Sequence, residues 1–142
     1  MNVRTFLDTN VLVYLFDAGE PSKRAVAREI FERQSAGLEL FLSTQVLQEF
    51  FVNVTRKLSL PLTAEEALDA LIDLAEIPTV QVDVPLVVAA ARLSQRHQIS
   101  LWDALILEAA ASCGCGKVLT EDLQDGWEVR GVRVENPFRG LA

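Results

Sequence analysis

Short apolar runs occur along the chain, and five of them have the length and composition of β-strands. The first covers residues 3–7 and ends abruptly at Asp8, after which a new apolar run begins at Val11. This order predicts a strand, a sharp turn that carries a carboxylate, and then a helix. The other predicted strands are 38–42, 79–82, 117–120 and 129–134, the last of them interrupted by Gly131.

Between these runs, apolar residues recur at three- and four-residue spacing, which predicts helices. The stretch after the second strand carries an apolar stripe from Leu47 to Leu58, and Ser43 or Thr44 is a suitable N-cap for it. Thr63 opens a capping box with Glu66. The predicted helices cover about 10–16, 22–35, 44–58, 63–75, 86–98 and 100–113.

Strands that alternate with helices are typical of a parallel sheet covered by helices on both faces. We therefore predict the α/β class, with three α/β/α layers and a mainly parallel sheet of roughly five strands. No repeat, low-complexity segment or linker divides the sequence, so we expect a single domain over residues 1–142.

Composition narrows the class of protein. Half of the 142 residues are hydrophobic, which allows a substantial core. No apolar run approaches the roughly 18 residues of a membrane helix, and Asp8 interrupts any signal-like segment, so we expect a cytoplasmic protein with no membrane partner. Cys113 and Cys115, with the single His97, are too few for a disulfide framework or a structural zinc site. They favour reduced, structural thiols.

The formal net charge of −7 argues against a nonspecific nucleic-acid binder, because such proteins normally show a basic surface. A cation held among clustered acids would neutralise part of this charge in the working state. Basic residues do form small groups, which are most simply interpreted as solvated surface.

Four acids are expected to meet at one edge of the predicted sheet. Asp8 ends the first strand, and Asp122 follows the strand at 117–120. The carboxyl ends of parallel strands lie at the same edge, where α/β proteins bind their ligands. Glu49 lies in the second turn of the helix that leaves the strand at 38–42, and Asp103 lies in the first turn of its helix.

Two of these acids occupy apolar surroundings. Asp103 shares a helical face with Ile106 and Leu107, and Glu49 lies beside the apolar stripe of its helix. Acids are seldom buried unless they are paired or bound to a metal, and converging carboxylates repel one another. A hard divalent cation such as Mg²⁺ or Mn²⁺ would resolve this repulsion, because it prefers oxygen ligands.

Each acid also has a simpler interpretation. Asp103 is placed to act at the start of its helix together with Ser100, and Glu49 is placed to pair with Arg56 or Asn53. Asp122 is also suited to opening a turn. Each of these simpler interpretations stays open for its own acid. One shared site nevertheless explains the acids together better than several unrelated roles do.

At these positions the chain resembles the PIN-domain family, in four acidic segments and a C-terminal strand that follow in the same order along nearly the whole sequence. It most resembles the VapC-type toxins of bacterial toxin–antitoxin pairs, which are small, single-domain PIN proteins. The segments that carry the resemblance are Leu7–Leu12, Gln45–Phe50, Ser100–Ile106, Leu119–Leu123 and Val132–Phe138.

The resemblance implies a metal-dependent endoribonuclease. Asp8, Glu49, Asp103 and Asp122 would hold one or two Mg²⁺ or Mn²⁺ ions, which would activate a water to cleave RNA and leave a 5′-phosphate and a 3′-hydroxyl. Asp8 and Asp103 are the candidates for direct ligands, and Glu49 and Asp122 for binding through water or for the role of base. The residues expected to steady these groups are Thr9, Asn10 and Thr120, which are equally suited to helix capping and turns.

The resemblance also implies an antitoxin partner that covers the site, and a homodimer. The alternative is a PIN-like interaction module whose acids no longer turn over substrate. An aspartyl-phosphate phosphatase is disfavoured, since position 10 is Asn where that chemistry needs a second acid. Of the aromatic residues suited to stacking on bases, we expect Trp127 to be exposed and Trp102 to be packed.

Overall fold

The computed structural model of this chain describes residues 3–141, which contain six strands and six helices. The strands are β1 (Val3–Leu7), β2 (Leu38–Ser43), β3 (Thr79–Val80), β4 (Lys117–Leu119), β5 (Glu128–Val129) and β6 (Val132–Glu135). The helices are α1 (Thr9–Tyr14), α2 (Pro21–Glu32), α3 (Thr44–Arg56), α4 (Ala64–Leu74), α5 (Val84–His97) and α6 (Leu101–Ser112), and a 3₁₀ turn covers Arg33–Ala36. The predicted domain ends, Met1 and Ala142, lie outside the described residues.

The strands form one sheet in the order β3-β2-β1-β4-β6-β5. Every neighbouring pair is parallel except β5 and β6, so the predicted α/β class with a mainly parallel sheet is confirmed. The sheet has six strands because the run at 129–134 folds as a hairpin. Arg130 and Gly131 both have positive φ, 56° and 74°, which is the conformation of a two-residue hairpin turn.

The pairing of β1 with β4 sets the geometry of the predicted acidic edge. Leu7 lies opposite Leu119, so the residues that follow, Asp8 and Thr120, leave the sheet side by side. The backbone N–H of Asp8 donates to the carbonyl of Leu119 at 3.0 Å and extends the ladder by one bond. On the other side of β1, strand β2 ends at Ser43, which caps α3.

Helix α6 is the most deeply buried helix among the described residues. Residues 104–110 are buried without interruption, and the helix packs against α5 and contacts β2, β4 and β6. Glu108 is buried in this segment and pairs with Arg130 of the hairpin at 3.0 Å. The backbone position of Asp103, five residues before Glu108 in the same helix, is therefore fixed by the core. No helix within residues 3–141 is long and apolar enough to cross a membrane.

Candidate active site

Asp8 is a buried carboxylate at the junction of β1 and α1. Only 5% of its surface is exposed. It is the N-cap of α1, and its Oδ1 accepts a hydrogen bond of 2.7 Å from the backbone N–H of Thr9. The sharp turn expected after the first strand is thus made by the acid itself, which caps the helix and faces the carboxyl edge of the sheet.

Thr120 connects Asp8 to the loop that follows β4. Its hydroxyl donates to Asp8 Oδ2 at 2.7 Å and accepts from the amide of Asn10 at 3.2 Å and from the backbone N–H of Asp122 at 3.1 Å. A hydroxyl offers one donor and two acceptor sites, so all three are used. Asn10 also donates to Asp122 Oδ2 at 3.1 Å. We call these four residues (Asp8, Asn10, Thr120 and Asp122) the Asp8 network.

Glu49 reaches the same region from α3. Ser43 starts this helix by accepting a hydrogen bond from the N–H of Val46, which sets Glu49 in the second turn. Glu49 Oε1 accepts a bond of 2.7 Å from the hydroxyl of Thr9. The partner of Glu49 is therefore the neighbour of Asp8, and not Arg56 or Asn53 on its own helix.

Asp103 is positioned by the start of α6. Its N–H donates to Ser100 Oγ at 3.0 Å, as the capping interpretation of this segment predicts. Gln45 at the start of α3 donates to the carbonyl of Trp102 at 3.2 Å and joins the two helix starts. Asp103 thus acts in the first turn of its helix and still presents a half-buried carboxylate to the site.

All four predicted acids line one open cavity of about 540 Å³. Among the described residues of its wall, Lys57 is the one basic side chain. Asp17 is a fifth acid on this wall that the sequence analysis did not identify, and it accepts a bond from the N–H of Gly19. Gln45 and Asn53 were also missed, although they lie one helical turn before and after Glu49 on one face of α3.

The PIN-domain family model matches residues 5–124 of this sequence. The chain belongs to the PIN-domain family. Sequence motifs around the four acids predicted this membership, and the strand ends and helix starts that carry those acids meet in this fold. No curated protein sequence matches the chain.

Solved structures with the same fold include VapC proteins from several bacteria. The chain is similar to VapBC2 from Rickettsia felis, solved with a promoter DNA fragment (TM-score 0.68, 18% identity, 94% of this chain and 98% of that one). It is similar to a toxin–antitoxin complex from Klebsiella pneumoniae (TM-score 0.69, 20% identity, 94% of this chain and 97% of that one). It is also similar to VapC20 from Mycobacterium tuberculosis, described as a sarcin–ricin loop cleaving toxin (TM-score 0.65, 21% identity, 80% of this chain and 86% of that one). At these identities the likeness establishes the fold.

Burial dominates the electrostatics of Asp8 in this PIN domain. The pKa of its carboxyl is raised from 3.8 to about 6. Burial is the main cause; the hydrogen bonds from Thr120 and Thr9 act against it, and the charges of Asp122 and Glu49 act with it. The pKa of Asp103 is also raised, mainly by burial and in part by the charge of Asp122. The carboxylates therefore repel one another when no cation lies between them.

The oxygen atoms that line the cavity are suitable ligands for a hard divalent cation. The side-chain oxygens Asn10 Oδ1 and Gln45 Oε1 are buried and have no hydrogen-bond partner within residues 3–141. Both residues line the cavity, and amide and carboxylate oxygens are ligands for such ions. No three carboxylate, imidazole or thiol groups of the described residues are close enough to hold one ion together. The arrangement therefore fits an ion held by one or two carboxylates and by waters.

The two tryptophans differ from expectation. Trp102 is 61% exposed and lies on the cavity wall, whereas Trp127 is half-buried with its ring edge-on to His97 at 5.5 Å. The expectation that Trp127 is the exposed one is wrong because its ring packs against the core and against His97 at the end of α5. Asp125 lies in a turn, and its carboxylate accepts bonds from the N–H of Asn136 and the guanidinium of Arg139.

Proposed function

We propose that this PIN domain is a metal-dependent endoribonuclease and the toxin of a toxin–antitoxin pair. One observation carries the proposal: Asp8 is buried, hydrogen-bonded into the Asp8 network, and placed in a cavity that Glu49 and Asp103 also line. A buried carboxylate with like charges around it is stabilised by a cation. Membership of the PIN-domain family supports a nuclease.

Mg²⁺ or Mn²⁺ would be held mainly by Asp8 and Asp103, with Glu49 and Asp122 binding it through water or taking a proton from the attacking water. When bound, such an ion supplies a nucleophilic water at neutral pH and neutralises charge that develops on the phosphate. The roles of Thr9, Asn10 and Thr120 are to hold the carboxylates at fixed positions. Each already donates a hydrogen bond to a carboxylate of the cavity.

RNA is the proposed substrate. The cavity is open to solvent, and its wall combines acids that would bind an ion with Lys57 for a phosphate and Trp102 for a base. The exposure of Trp102 supports this, because an indole in solvent beside a charged site is available for stacking. The described function of the Mycobacterium tuberculosis relative, cleavage of the sarcin–ricin loop, supports the same substrate class.

An antitoxin protein is the proposed partner. The Rickettsia felis and Klebsiella pneumoniae relatives are described as VapBC and toxin–antitoxin complexes. A peptide that carries arginine would complement the acids of the cavity in place of the cation. Copurification with a small, basic-tailed protein encoded beside this chain supports the proposal, and harmless production of the chain alone in its native host argues against it. Homodimerisation and a cytoplasmic location remain predictions.

The first test is calorimetric titration of Mn²⁺ into the wild-type protein and into Asp8→Asn near pH 7.5, where Asp8 is ionised. We expect the substitution to weaken Mn²⁺ binding strongly. The matched control is Asp69→Asn on the exposed surface of α4, which removes one carboxylate of equal size that does not line the cavity. If the wild-type protein binds Mn²⁺, RNA cleavage is then measured with and without the ion.

The outcomes separate the proposal from its alternative. Binding that Asp8→Asn abolishes and Asp69→Asn retains supports a metal site among these acids. No binding in any variant contradicts it and favours an interaction module. Binding without RNA cleavage in any ion would retain the metal site and reject the nuclease.

A further inference from the structure

A second pair of chemically reactive groups lies at the far end of α6. Cys113 is the C-cap of this helix, Gly114 follows with φ of 74°, and Cys115 comes immediately before the segment that leads into β4. The two sulfur atoms are 3.4 Å apart. Asp103 lies ten residues earlier, about 15 Å along the helix axis, so these thiols are separate from the acidic cavity.

The way in which α6 ends brings the two thiols together. The N–H of Cys115 donates to the carbonyl of Ala110 at 3.0 Å, and the N–H of Gly114 donates to that of Ala111 at 3.1 Å. This pair of bonds is the Schellman motif, which requires a left-handed residue at position 114. The turn reverses the chain over three residues and leaves both cysteine side chains on one side. The glycine at position 114, which ends α6, therefore brings the two cysteine side chains together.

The two cysteines differ in access to solvent. Cys115 is 3% exposed, whereas Cys113 is half-buried and reaches the surface. The guanidinium of Arg4 donates to the carbonyl of Cys113 at 3.0 Å and places a positive charge beside the turn, while Glu39 pairs with Arg4 at 3.6 Å. One thiol is thus open to a small oxidant, and the other is protected within bonding reach of it.

We propose that Cys113 and Cys115 form a reversible thiol–disulfide couple that is oxidised by hydroperoxides. Cys113 attacks as the thiolate, the O–O bond breaks, and a sulfenic acid forms on Cys113 while hydroxide leaves and takes up the proton released from the thiol. The sulfur of Cys115 then attacks Cys113, and an S–S bond forms as water leaves. In total the two thiols lose two electrons and two protons, and one hydrogen peroxide becomes two waters.

The ionisation of the pair agrees with these roles. The two sulfurs share a hydrogen bond. With Cys115 as its donor, this bond lowers the pKa of Cys113 to about 7, and the charge of Arg4 acts in the same direction. The same hydrogen bond, together with burial, raises the pKa of Cys115. The exposed sulfur is therefore the thiolate, which is the nucleophilic form. Closing the bond requires the sulfurs to approach by roughly 1.4 Å.

The test is oxidation of the reduced, folded protein by hydrogen peroxide at neutral pH. We expect both thiols to become unreactive towards a thiol reagent after denaturation, with the loss of two hydrogens in the intact mass. The product is expected to run as a monomer on a non-reducing gel, and dithiothreitol is expected to restore both thiols. Wild type that keeps two titratable thiols, forms only intermolecular disulfides, or accumulates sulfinic acid would overturn the proposal.

Two variants separate the roles of the thiols. Cys115→Ser is expected to stop at the sulfenic acid of Cys113, which a dimedone probe traps, and to shift the pH midpoint of Cys113 alkylation upwards. Cys113→Ser is expected to react at least about tenfold more slowly, because Cys115 is buried. Equal oxidation rates for the two variants would contradict the assignment of Cys113 as the attacking thiol. Circular dichroism checks that both remain folded.

Discussion

The two sides of the acidic cavity are built differently. On the sheet side, the Asp8 network follows directly from the ends of β1 and β4, and Thr120 uses all its hydrogen-bonding capacity within it. On the helix side, Glu49 and Asp103 are half-buried and reach the cavity from α3 and α6, with Thr9 as the partner of Glu49. Hydrogen bonds within the protein fix the sheet side before any ligand arrives, whereas the half-buried side chains of Glu49 and Asp103 are freer to adjust to the ligand.

Because of this difference, we expect the two sides of the cavity to have different roles in ion binding. A charge held in a buried, rigid position is costly in the free protein and gains most from a cation. A half-exposed carboxylate is less costly to keep ionised when no cation is bound, because water still solvates it. Its side chain is also able to move and complete the set of ligands around an ion. We therefore expect Asp8 on the sheet side to contribute most to ion binding, Asp103 on the helix side to complete the ligand set, and Glu49 to tune the attacking water.

The largest expected effect is the loss of cleavage in Asp8→Asn. If the proposed function holds, we expect a fall of about 10³-fold in RNA cleavage, because the substitution removes the buried carboxylate on which the ion depends. Glu49→Gln on the helix side is expected to cost about 10- to 100-fold, with partial rescue by higher Mn²⁺. Steady-state cleavage at several Mn²⁺ concentrations measures both. Equal losses without rescue would remove the distinction between the two sides.

The second effect is on stability, and it concerns Asp8 alone. Its folded pKa of about 6 lies above the value of 3.8 for the unfolded chain, so between these pH values the folded protein retains a proton that the unfolded chain has lost. Stability is therefore expected to fall as pH rises from about 4 to about 6 and to stay lower above that, by about 3 kcal/mol from this group.

Urea unfolding in EDTA across this pH range measures the effect, with Asp8→Asn as the reference. We expect the wild-type curve to fall relative to the variant as pH rises, since other groups contribute equally to both. Saturating Mg²⁺ is expected to stabilise wild type and leave the variant unchanged. Parallel pH curves for the two proteins would show that Asp8 is not held in the buried, unneutralised state described here.

The third prediction tests the connection within the sheet side. Thr120→Val keeps the volume and removes the hydroxyl. Asp8 loses one of its two hydrogen bonds, the Asn10 amide loses one of its two acceptors, and the N–H of Asp122 is left without an acceptor. We expect a loss of about 1–3 kcal/mol in stability and about 10- to 100-fold in cleavage. Thr120→Ser retains the hydroxyl and serves as the control. Wild-type Mn²⁺ affinity in Thr120→Val would show that the network does not position Asp8.

The sheet side was also the part of the site that the sequence predicted best. Asp8, Thr120 and Asp122 follow apolar runs that form strands, and parallel strands have to end at one edge. The direction of a strand thus determines where the next residue lies. The hairpin at the C-terminal end was harder to predict, because Arg130-Gly131 is a weaker turn signal than Asn-Gly.

Helix-borne residues were predicted less completely. Glu49 and Asp103 were identified from their apolar faces and from the family motifs, but Asp17 and Lys57 were missed. Helical periodicity gives the face on which a residue lies, and it does not give the element that this face will meet. Trp102 shows the same limit, since it belongs to the most buried helix and is nevertheless exposed at its first turn.

The smallest expected effect comes from Thr9→Val, which breaks a hydrogen bond that joins the two sides. The hydroxyl of Thr9 donates to Glu49 at 2.7 Å, while the backbone N–H of Thr9, which donates to Asp8, is unaffected by the change. If the helix side adjusts freely, the loss in cleavage is expected to stay within about tenfold, with Mn²⁺ affinity near that of wild type. In the double variant with Glu49→Gln, Thr9→Val is expected to add little, because both changes remove the same contact. Full additivity of the two losses would mean that Thr9 acts through the sheet side, since its effect would then not depend on the carboxylate that it binds.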